Sequence, residues 1–341
     1  MNRLRAFLKD PKKKNYFIIG KEVVHLALYK KELPFYYFKY LYRKNSPPYK
    51  NFLSLKEQRK FQDHPVLHKP DYVHILDNKL FFSLFAKTCN LKMPSLIGYN
   101  LKASFCINNK VNLIHNVQEL QEIFKVLFQQ NSLEAVFVRP ITGNSGKGCI
   151  KMSRNNYQET VRQNYNNLVD NNFIYTEVVL QHEDINAIHP HSLNTLRLLT
   201  LISGEGKIEI IAALMKFGVG KSIVDNSSSG GFYVGINLKT GTLQKYGYYL
   251  LEHSTEEIIA HPDSNYTLQG FDIPFYKEAC ELVEAAVEVI PNRLVGWDVA
   301  ISRNGPLIIE ANSKPSIFCP DIAQGGLLKN KNVQDVLSEL K

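Results

Sequence analysis

Three oxygen-bearing side chains near the C-terminal end of the chain have types and spacing that suit a hard cation. Glu310 and Asn312 are two residues apart on an expected strand, so they share one face of it. A three-residue loop before this strand pairs Ser302 with Pro306. Asp298 on the preceding strand then falls opposite Glu310, whereas a two-residue loop places the two carboxylates on opposite faces. The first register predicts a Mg²⁺ site, and the alternative is acids that face solvent on an edge strand.

A glycine-rich loop between two expected strands offers a place for phosphate. Residues 143–148 read Gly-Asn-Ser-Gly-Lys-Gly, and Gly148 stands where a phosphate loop of the Walker type requires Ser or Thr. A strand–loop–strand of this composition can instead fold over a nucleotide, with backbone N–H groups and Lys147 facing the phosphates. Arg139, on the strand that enters the loop, adds a fork of donors. The alternative is an ordinary hairpin turn.

A third stretch, residues 176–180, has the character of an adenine-binding hinge. A strand that ends in a short apolar linker can present backbone N–H and C=O groups to the edge of a base. Asp184, seven residues after Glu177, has the spacing to hold a ribose hydroxyl. His182, beside the hinge, is a further candidate polar residue, and we assign no role to the other nine histidines.

These stretches require strands and helices that hold them in place, and a regular pattern begins near Asp77, which is expected to cap the first helix. Strands are expected at 134–140, 149–152, 173–179, 196–202, 208–215, 232–236, 294–302 and 307–311, and further helices near 18–28, after 116, and at 158–168 and 275–290. Because the strands come in neighbouring pairs with helices between them, the pattern predicts an α+β fold with antiparallel sheets. Trp297 lies next to Asp298 on a strand and therefore points to the opposite face, which predicts that its ring packs in the core.

Six short stretches occur together in one order along the chain. They are Leu-Asp-Asn-Lys at 76–79, Phe-Val-Arg-Pro at 137–140, Leu-Asn-Thr-Leu-Arg at 193–197, Val-Asp-Asn at 224–226 followed by Gly-Gly at 230–231, Gly-Trp-Asp at 296–298 and Ile-Glu-Ala-Asn at 309–312. In this order they resemble the ATP-grasp superfamily, and more closely its sugar-transfer associated proteins, which include teichuronopeptide-synthesis and capsular-polysaccharide relatives. The resemblance covers roughly residues 70–330, and it implies two α+β subdomains that hold ATP between antiparallel sheets.

The resemblance implies roles for the matched residues in binding ATP. Lys79 and Arg139 correspond to two cations that touch the phosphates, although the family more often has Lys at the second position. Glu177 and Val179 correspond to the adenine-binding hinge. The remaining expected contacts to ATP are Ser145, Gly146, Lys147, Gly148 and Asp184.

The resemblance also implies the residues that carry the reaction. Arg197 corresponds to the residue that stabilises the transferred phosphoryl group, and Lys216 stands on the next strand where relatives often carry Arg. The metal ligands correspond to Asp298, Glu310 and Asn312, with Mg²⁺ as the ion. Asn194, Asn226 and Gly230 are the residues expected to face the acceptor.

The activity implied by the resemblance is ATP- and Mg²⁺-dependent ligation. A carboxylate attacks the γ-phosphate of ATP to give an acyl phosphate, and an amine or hydroxyl then displaces phosphate. The implied acceptor is a sugar or a surface-polysaccharide precursor, in polysaccharide or capsule biosynthesis. Two alternatives remain open: a kinase that phosphorylates a sugar or glycan hydroxyl, and a non-catalytic nucleotide-binding scaffold with a basic N-terminus that binds membrane or polyanion.

The charge of the chain is concentrated at its N-terminus. The 341 residues carry a formal net charge of +9, but residues 1–70 hold 17 Lys and Arg against 5 Asp and Glu, or +12, so the remainder carries −3. A nucleic-acid-binding protein is therefore not expected. An anionic membrane surface or an acidic glycan is the expected partner of this segment, and a solvated basic cap is the alternative.

The expected domain organisation follows from these features. Residues 1–70 form a basic, aromatic N-terminal region, 71–330 form the ATP-grasp domain, and 331–341 form a C-terminal helix. Within the domain, a lid subdomain is expected at about 105–180 and a metal-binding subdomain at about 181–330. No apolar run is long enough to span a membrane, and the five cysteines show no disulfide or zinc spacing, so we expect a cytoplasmic protein, peripheral at the inner face of the membrane.

Overall fold

A computed structural model describes residues 7–8, 10–130, 133–143, 146–250, 252–254 and 256–340. Its helices are α1 Tyr16–Lys30, α2 Tyr37–Tyr40, α3 Leu55–Asp63, α4 Pro70–Leu76, α5 Lys79–Thr88, α6 Val117–Gln130, α7 Tyr157–Asp170, α8 Glu183–Ile188, α9 Tyr276–Val289, α10 Phe318–Ala323 and α11 Lys331–Glu339. Its strands are β1 Leu96–Leu101, β2 Ser104–Ile107, β3 Lys110–Leu113, β4 Ala135–Pro140, β5 Ile150–Ser153, β6 Asn172–Glu177, β7 Thr195–Ile202, β8 Ile208–Phe217, β9 Phe232–Ile236, β10 Leu243–Tyr249, β11 Glu257–Ile258, β12 Leu294–Ser302 and β13 Gly305–Asn312.

The chain divides into two compact units, one of residues 74–180 and one that joins residues 7–73 to 181–340. Each unit is built on one sheet, and every pair of neighbouring strands in the two sheets is antiparallel. The predicted α+β class with antiparallel sheets is therefore confirmed.

The unit of residues 74–180 has a six-stranded sheet in the order β3-β2-β1-β6-β4-β5. Its core is formed by aromatic and aliphatic side chains from the sheet and from α6 and α7, including Phe105, Phe124 and Tyr175. The sheet of this unit includes residues ahead of the start expected near residue 105 for the lid subdomain, since β1 at Leu96–Leu101 pairs with β6 at the centre of the sheet. The strands β1 to β3 were not predicted; β3 has only four residues, all of them exposed, so its short polar–apolar alternation does not mark a buried face.

The first helix of this unit, α5, is capped by a different residue from the one predicted. The side chain of Asn78 accepts a hydrogen bond from the backbone N–H of Phe81 at 3.0 Å, so Asn78 rather than Asp77 is the N-cap. This shift by one residue makes Lys79 the first residue of the helix.

The larger unit has a seven-stranded sheet in the order β11-β10-β9-β8-β7-β12-β13. The strand β12 is buried along its whole length, and α9 packs on the sheet through the buried face formed by Ala279, Val283 and Ala286. Trp297 is fully buried, and its Nε1 donates to Thr200 Oγ1 at 2.9 Å, which confirms that this ring belongs to the core.

The basic N-terminal segment belongs to the larger unit, and the chain passes into the smaller unit between residues 73 and 74, close to the boundary expected at residue 70. Arg43 and Asp10 form an ion pair at 2.9 Å in which both side chains are only 4% exposed. Arg43 also lies 3.3 Å from Glu257 at the edge strand β11, and Tyr40 donates from its hydroxyl to the carbonyl of Tyr249. The sequence left open that the charges of this segment are solvated, but Arg43 is buried and helps to attach the segment to the rest of the larger unit. No helix in the described part of the chain is long and apolar enough to cross a membrane.

Candidate functional site

The hairpin of β12 and β13 brings Asp298 directly opposite Glu310, by a route that neither predicted loop provides. Ser302 pairs with Gly305, not with Pro306, so the turn between the strands has only two residues. The ladder then shifts by one residue between Asp298 and Val299, because Ile309 is inserted as a β-bulge. The bulge restores the pairing of Asp298 with Glu310 on one face of the sheet.

Asp298 is held by two cations from the neighbouring strands. It pairs across the ladder with Arg197 on β7, which donates from Nε to Oδ1 at 2.6 Å and from Nη2 to Oδ2 at 3.0 Å. Lys216 on β8 lies 3.0 Å from the same carboxylate. Burial acts to raise the pKa of Asp298, but Arg197 and Lys216 together outweigh it and hold the pKa well below its usual range. Asp298 is therefore ionised throughout the physiological range.

A third carboxylate, Asp225, faces the same cluster and was not assigned a role from the sequence. Its Oδ2 accepts from the backbone N–H and hydroxyl of Thr195 at 2.8 and 2.6 Å, and its Oδ1 lies 3.8 Å from Lys216. Burial raises the pKa of Asp225, although Lys216 acts in the opposite direction. The signal that could have found it was its place in the motif at 224–226, where the sequence singled out only the neighbouring Asn226.

The arrangement is a row of four charged residues across four adjacent strands, with two cations followed by two carboxylates. Lys216, Arg197, Asp298 and Glu310 lie on β8, β7, β12 and β13 in that order. With Asp225, two cations face three carboxylates, which leaves a formal charge of −1. A bound divalent cation would change the formal charge of this cluster from −1 to +1, and a positive cluster attracts phosphate.

The oxygen donors in the row fit the magnesium ion implied by the resemblance. Glu310 and Asn312 are half-buried on β13, and the Nδ2 of Asn312 lies 3.5 Å from the carbonyl of Gly296, which directs the amide oxygen away from that carbonyl. Carboxylate and amide oxygens are the ligands that Mg²⁺ prefers in proteins. Asp298 keeps its ionised form, so the donor set has the charge and hardness that the ion requires.

The expected acceptor residues differ in what they offer. Asn194 is fully buried; its Oδ1 accepts from Ser192 and Gly218, and its Nδ2 donates to Gln181 and to the carbonyl of His189. Every polar atom of this side chain is used within the protein, so it links loops and does not support the role predicted for it in facing an acceptor.

The other two acceptor residues lie in a short loop before β9. The side chain of Asn226 caps the 3-10 turn Ser227–Ser229 by accepting from the backbone N–H of Ser228 at 3.1 Å. Gly230 ends the turn with φ of 97°, in the left-handed region that favours glycine, and a Cβ there would meet no neighbour within 4 Å. The Gly230 backbone is thus open to a close approach.

In the smaller unit, Lys79 lies beside the glycine loop. Its Nζ donates to the carbonyl of Gly143 at 2.6 Å, and its backbone N–H donates to Ile141. Gly146 and Gly148 have φ of 66° and 76°, and Lys147 between them is exposed. Ser145, also expected to bind ATP, lies outside the described residues.

The remaining ATP-binding candidates lie along β4, β6 and α8. Arg139 is buried on β4, with 5% of its surface exposed. The Glu177 carboxylate, at the end of β6, accepts from the backbone N–H and hydroxyl of Ser95 at 2.9 and 3.1 Å. Val179 is half-buried just beyond this strand. Asp184, in the larger unit, lies in the first turn of α8 with 61% of its side chain exposed.

Comparison with known proteins identifies the same family as the sequence motifs. The family model described as sugar-transfer associated ATP-grasp matches residues 59–336. No curated protein matches the chain.

Several solved structures are similar to the chain. The ATP-grasp ligase PsnB, complexed with its minimal precursor, is 11% identical with a TM-score of 0.43, over 81% of this chain and 63% of PsnB. D-alanyl-alanine synthetase A from Vibrio cholerae O1 biovar eltor str. N16961 is 12% identical with a TM-score of 0.46, over 80% of this chain and 68% of the synthetase. The chain thus spans less than two thirds of the length of PsnB.

Proposed function

The chain belongs to the sugar-transfer associated ATP-grasp family, and we propose that it is an ATP- and Mg²⁺-dependent ligase that joins a carboxylate to an amine or a hydroxyl. The observation that carries this proposal is the row of Lys216, Arg197, Asp298 and Glu310 across one sheet. Such a row combines oxygen ligands for a divalent cation with fixed donors for a phosphoryl group.

The residues of the row have distinct proposed roles. Asp298, Glu310 and Asn312 would hold Mg²⁺, which supplies charge neutralisation at the phosphates of ATP when bound. Arg197 and Lys216 would stabilise the negative charge of the phosphoryl group as it passes to the carboxylate. Because Asp298 already fixes the Arg197 guanidinium with two hydrogen bonds, little reorganisation of that side chain is needed during the reaction.

The residues of the smaller unit are proposed to hold the nucleotide. Lys79, Arg139 and the loop of Ser145, Gly146, Lys147 and Gly148 would contact phosphates, and Glu177 and Val179 would contact adenine. The position of the Lys79 ammonium beside the Gly143 carbonyl supports a role at the loop. Asp184 in the larger unit, with its exposed carboxylate, would bind the ribose.

The proposed acceptor is a sugar or a surface-polysaccharide precursor, in keeping with the family description, and the carboxylate donor would be activated in the cytoplasm as an acyl phosphate. The loop of Asn226 and Gly230 supports the acceptor because its backbone is open to approach. A nucleophilic side chain is not required for this chemistry, since the carboxylate itself attacks ATP.

A turnover assay with purified protein tests the proposal. We expect sustained ADP formation only when ATP, Mg²⁺, a carboxylate donor and an acceptor are all present. Hydroxylamine should replace the acceptor and trap the activated carboxylate as a hydroxamate. Phosphate appearing on the acceptor, with no need for a carboxylate, would instead identify a kinase. ADP formation that Arg197→Lys leaves unchanged would contradict the role given to the row.

We also propose that the N-terminal segment docks on an anionic membrane surface. One face of α1 exposes Phe17, Val24 and Leu28 by 82%, 58% and 75%, while Ile19 and Leu26 on the opposite face are buried. Exposed apolar side chains of this size on one helix face are typical of a surface that inserts shallowly into lipid. They favour a membrane over an acidic glycan, which would bind the charges but leave these side chains in water.

The basic residues near this helix supply the complementary charge. Beyond α1, Leu33 and Phe35 are exposed by 67% and 66% at an open groove of about 750 Å³. Lys56, Arg59 and Lys60 also line the groove, and with Glu32 and Asp63 they leave its lining one positive charge in excess. Apolar and basic groups side by side match the acyl and headgroup regions of an anionic bilayer.

Vesicle flotation tests this docking. We expect binding to phosphatidylglycerol vesicles, weak binding to phosphatidylcholine vesicles, and loss of binding in Phe17→Ser with Leu28→Ser. Val111→Ser, at a site 73% exposed in the other unit, is the matched control. Binding of a soluble acidic polysaccharide that competes fully, with no effect of the two serines, would point to a glycan instead.

A further inference from the structure

A cluster of two histidines and one aspartate lies in the larger unit, apart from the charged row. His189 follows α8, while His261 and Asp263 follow β11. One nitrogen or oxygen atom from each of these side chains lies within 4.8 Å of the other two. Both imidazole rings are fully buried, whereas the Asp263 side chain is 39% exposed. The cluster thus has a dry interior and one edge that reaches solvent.

His261 is oriented as metal-bound histidines are. Its Nε2 lies 3.0 Å from the carbonyl of Gly218, so that nitrogen carries the proton and donates. The other nitrogen, Nδ1, carries the lone pair and faces Asp263, 4.0 Å from its carboxylate oxygen. It accepts from the backbone N–H of Asp263 at 3.2 Å, a contact that an ion bound at Nδ1 would replace. A histidine that ligates a metal usually donates its second N–H to a backbone carbonyl or carboxylate in this way.

The second histidine of the cluster, His189, is buried, and the described part of the chain leaves its ring nitrogens unsatisfied. Within the described residues, neither of its ring nitrogens makes a hydrogen bond, although the ring is fully buried. Its Nδ1 lies 3.5 Å from Asp263 Oδ2, which is beyond a good hydrogen bond. Stacking on His261, with ring centroids 4.6 Å apart, accounts for the packing of the rings but not for the nitrogens. Buried polar atoms without partners are uncommon and costly, and a bound ion at this position would satisfy one of them.

We propose that His189, His261 and Asp263 bind a divalent transition-metal ion of the zinc class, distinct from the Mg²⁺ of the reaction. Two neutral imidazoles and one carboxylate are typical ligands of Zn²⁺, whereas Mg²⁺ prefers oxygen alone. The exposed edge at Asp263 provides the route of entry, and water would complete the coordination. The sequence signal is the pair of short patterns His-Pro-His at 189–191 and His-Pro-Asp at 261–263, which our assignment of histidine roles overlooked.

The ion would stabilise the loops next to the strands that carry the charged row. Asp263 Oδ2 accepts from the backbone N–H of Gly220 at 2.6 Å, and His261 donates to Gly218; both glycines follow β8, the strand of Lys216. The carbonyl of His189 accepts from Asn194 Nδ2 at 2.8 Å, and Asn194 precedes Thr195, which binds Asp225. The role of the ion is therefore structural, in holding the residues that position Lys216 and Asp225.

Metal binding to the 341-residue chain tests the inference without reference to turnover. After chelator treatment and dialysis, the protein would be titrated with Zn²⁺ in excess Mg²⁺ by calorimetry, with metal content measured by mass spectrometry. We expect one Zn²⁺ per chain, a rise in the thermal midpoint, and a Co²⁺ derivative with visible absorption from histidine ligation. His189→Gln and Asp263→Asn should each weaken Zn²⁺ binding at least ~10-fold.

Two control variants test whether the loss of Zn²⁺ binding is specific to the proposed ligands. His115→Gln, at an exposed histidine of the other unit, and Glu310→Gln, in the charged row, should both bind Zn²⁺ as the wild type does. Asp263 is partly exposed, so Asp263→Asn is expected to fold even if His189→Gln does not. Absence of stoichiometric Zn²⁺ binding by the wild type, or unchanged binding by Asp263→Asn, would overturn the proposal while leaving the ligase proposal intact.

Discussion

Asp298 on β12 and Glu310 on β13 face each other because a single residue, Ile309, is bulged out of the ladder. In the register set by the two-residue turn, Asp298 would pair with Ile309, and Glu310 would pair with Trp297. Glu310 would then lie on the face where the indole ring is buried in the core. The bulge therefore separates the face that packs from the face that carries charge, as bulges beside functional sites often do.

Removing the charge of Glu310 should reduce the activity that depends on Mg²⁺. Glu310→Gln keeps the size of the side chain and its place in the ladder but weakens a hard cation ligand. We expect the maximal rate to fall at least ~100-fold and the Mg²⁺ concentration for half-maximal rate to rise. Initial rates of ADP formation over a Mg²⁺ titration measure both. Glu205→Gln, in the exposed β7–β8 turn, should leave them unchanged; an unaltered Mg²⁺ dependence in Glu310→Gln would remove Glu310 from the site.

The facing carboxylates could be predicted from the sequence, but the path of the chain that produces them could not. Residue spacing predicted that Asp298 and Glu310 share a face, on the assumption of a three-residue loop. The actual turn is shorter, and the inserted Ile309 compensates. A bulge has no signature in apolar periodicity, because its position is set by how the two faces pack and not by propensity.

The burial of charged residues in the N-terminal segment also could not be predicted from the sequence. A run with net charge +12 suggests a solvated face, yet Arg43 is almost fully buried against Asp10. The partners that bury it, such as Glu257, are more than 200 residues away along the chain. Local composition cannot reveal pairing over such a separation. In contrast, α9 was predictable from its amphipathic period and β12 from its continuous run of apolar residues, because both patterns are local.

The Arg197–Asp298 pair should be strongly coupled in stability. Its side chains are only 17% and 11% exposed and share two hydrogen bonds, so removal of one partner leaves a buried charge. We expect a double-mutant cycle of Arg197→Met and Asp298→Asn, measured by urea unfolding, to give a coupling free energy of at least ~2 kcal/mol. The exposed pair Lys277 and Glu281, at 88% and 60% exposure, is the matched control and should show no measurable coupling. Additive effects at Arg197 and Asp298 would contradict the pairing.

Asp321 should make stability depend on pH. It lies in α10, accepts backbone hydrogen bonds from Leu53 and Leu327 at 3.0 and 2.7 Å, and so ties the N-terminal segment to the C-terminal part of the larger unit. Burial raises the pKa of Asp321 to about 7, in spite of these two N–H donors. The folded chain therefore binds this proton more tightly than the unfolded chain, whose carboxyl titrates at about pH 4. Stability contributed by the protonated form is lost as the pH rises from about 4 to about 7.

The measurement is the free energy of unfolding in urea at several pH values across that interval. Relative to wild type, Asp321→Asn should show a flatter decline from pH 5 to pH 7, because the amide cannot titrate. Any hydrogen bond that the amide fails to make adds a loss that does not vary with pH, so the slope remains the readout. Asp335→Asn, at an exposed position in α11, should keep the wild-type slope. Parallel curves for wild type and Asp321→Asn would show that the pKa of Asp321 is not raised.

Thr200→Val should destabilise the larger unit and report on it through the single tryptophan. Valine has nearly the shape of threonine but cannot accept the hydrogen bond from Trp297 Nε1, and both residues are buried. A buried indole N–H left without a partner costs about 1–3 kcal/mol. Because Trp297 is the only tryptophan, urea unfolding followed by its fluorescence reads this core directly, and we expect a lower midpoint with an unchanged slope. Thr88→Val, at the exposed end of α5, is the control, since its hydroxyl donates to a carbonyl that water also reaches. An unchanged midpoint in Thr200→Val would mean that the indole finds another partner in the core of the sheet.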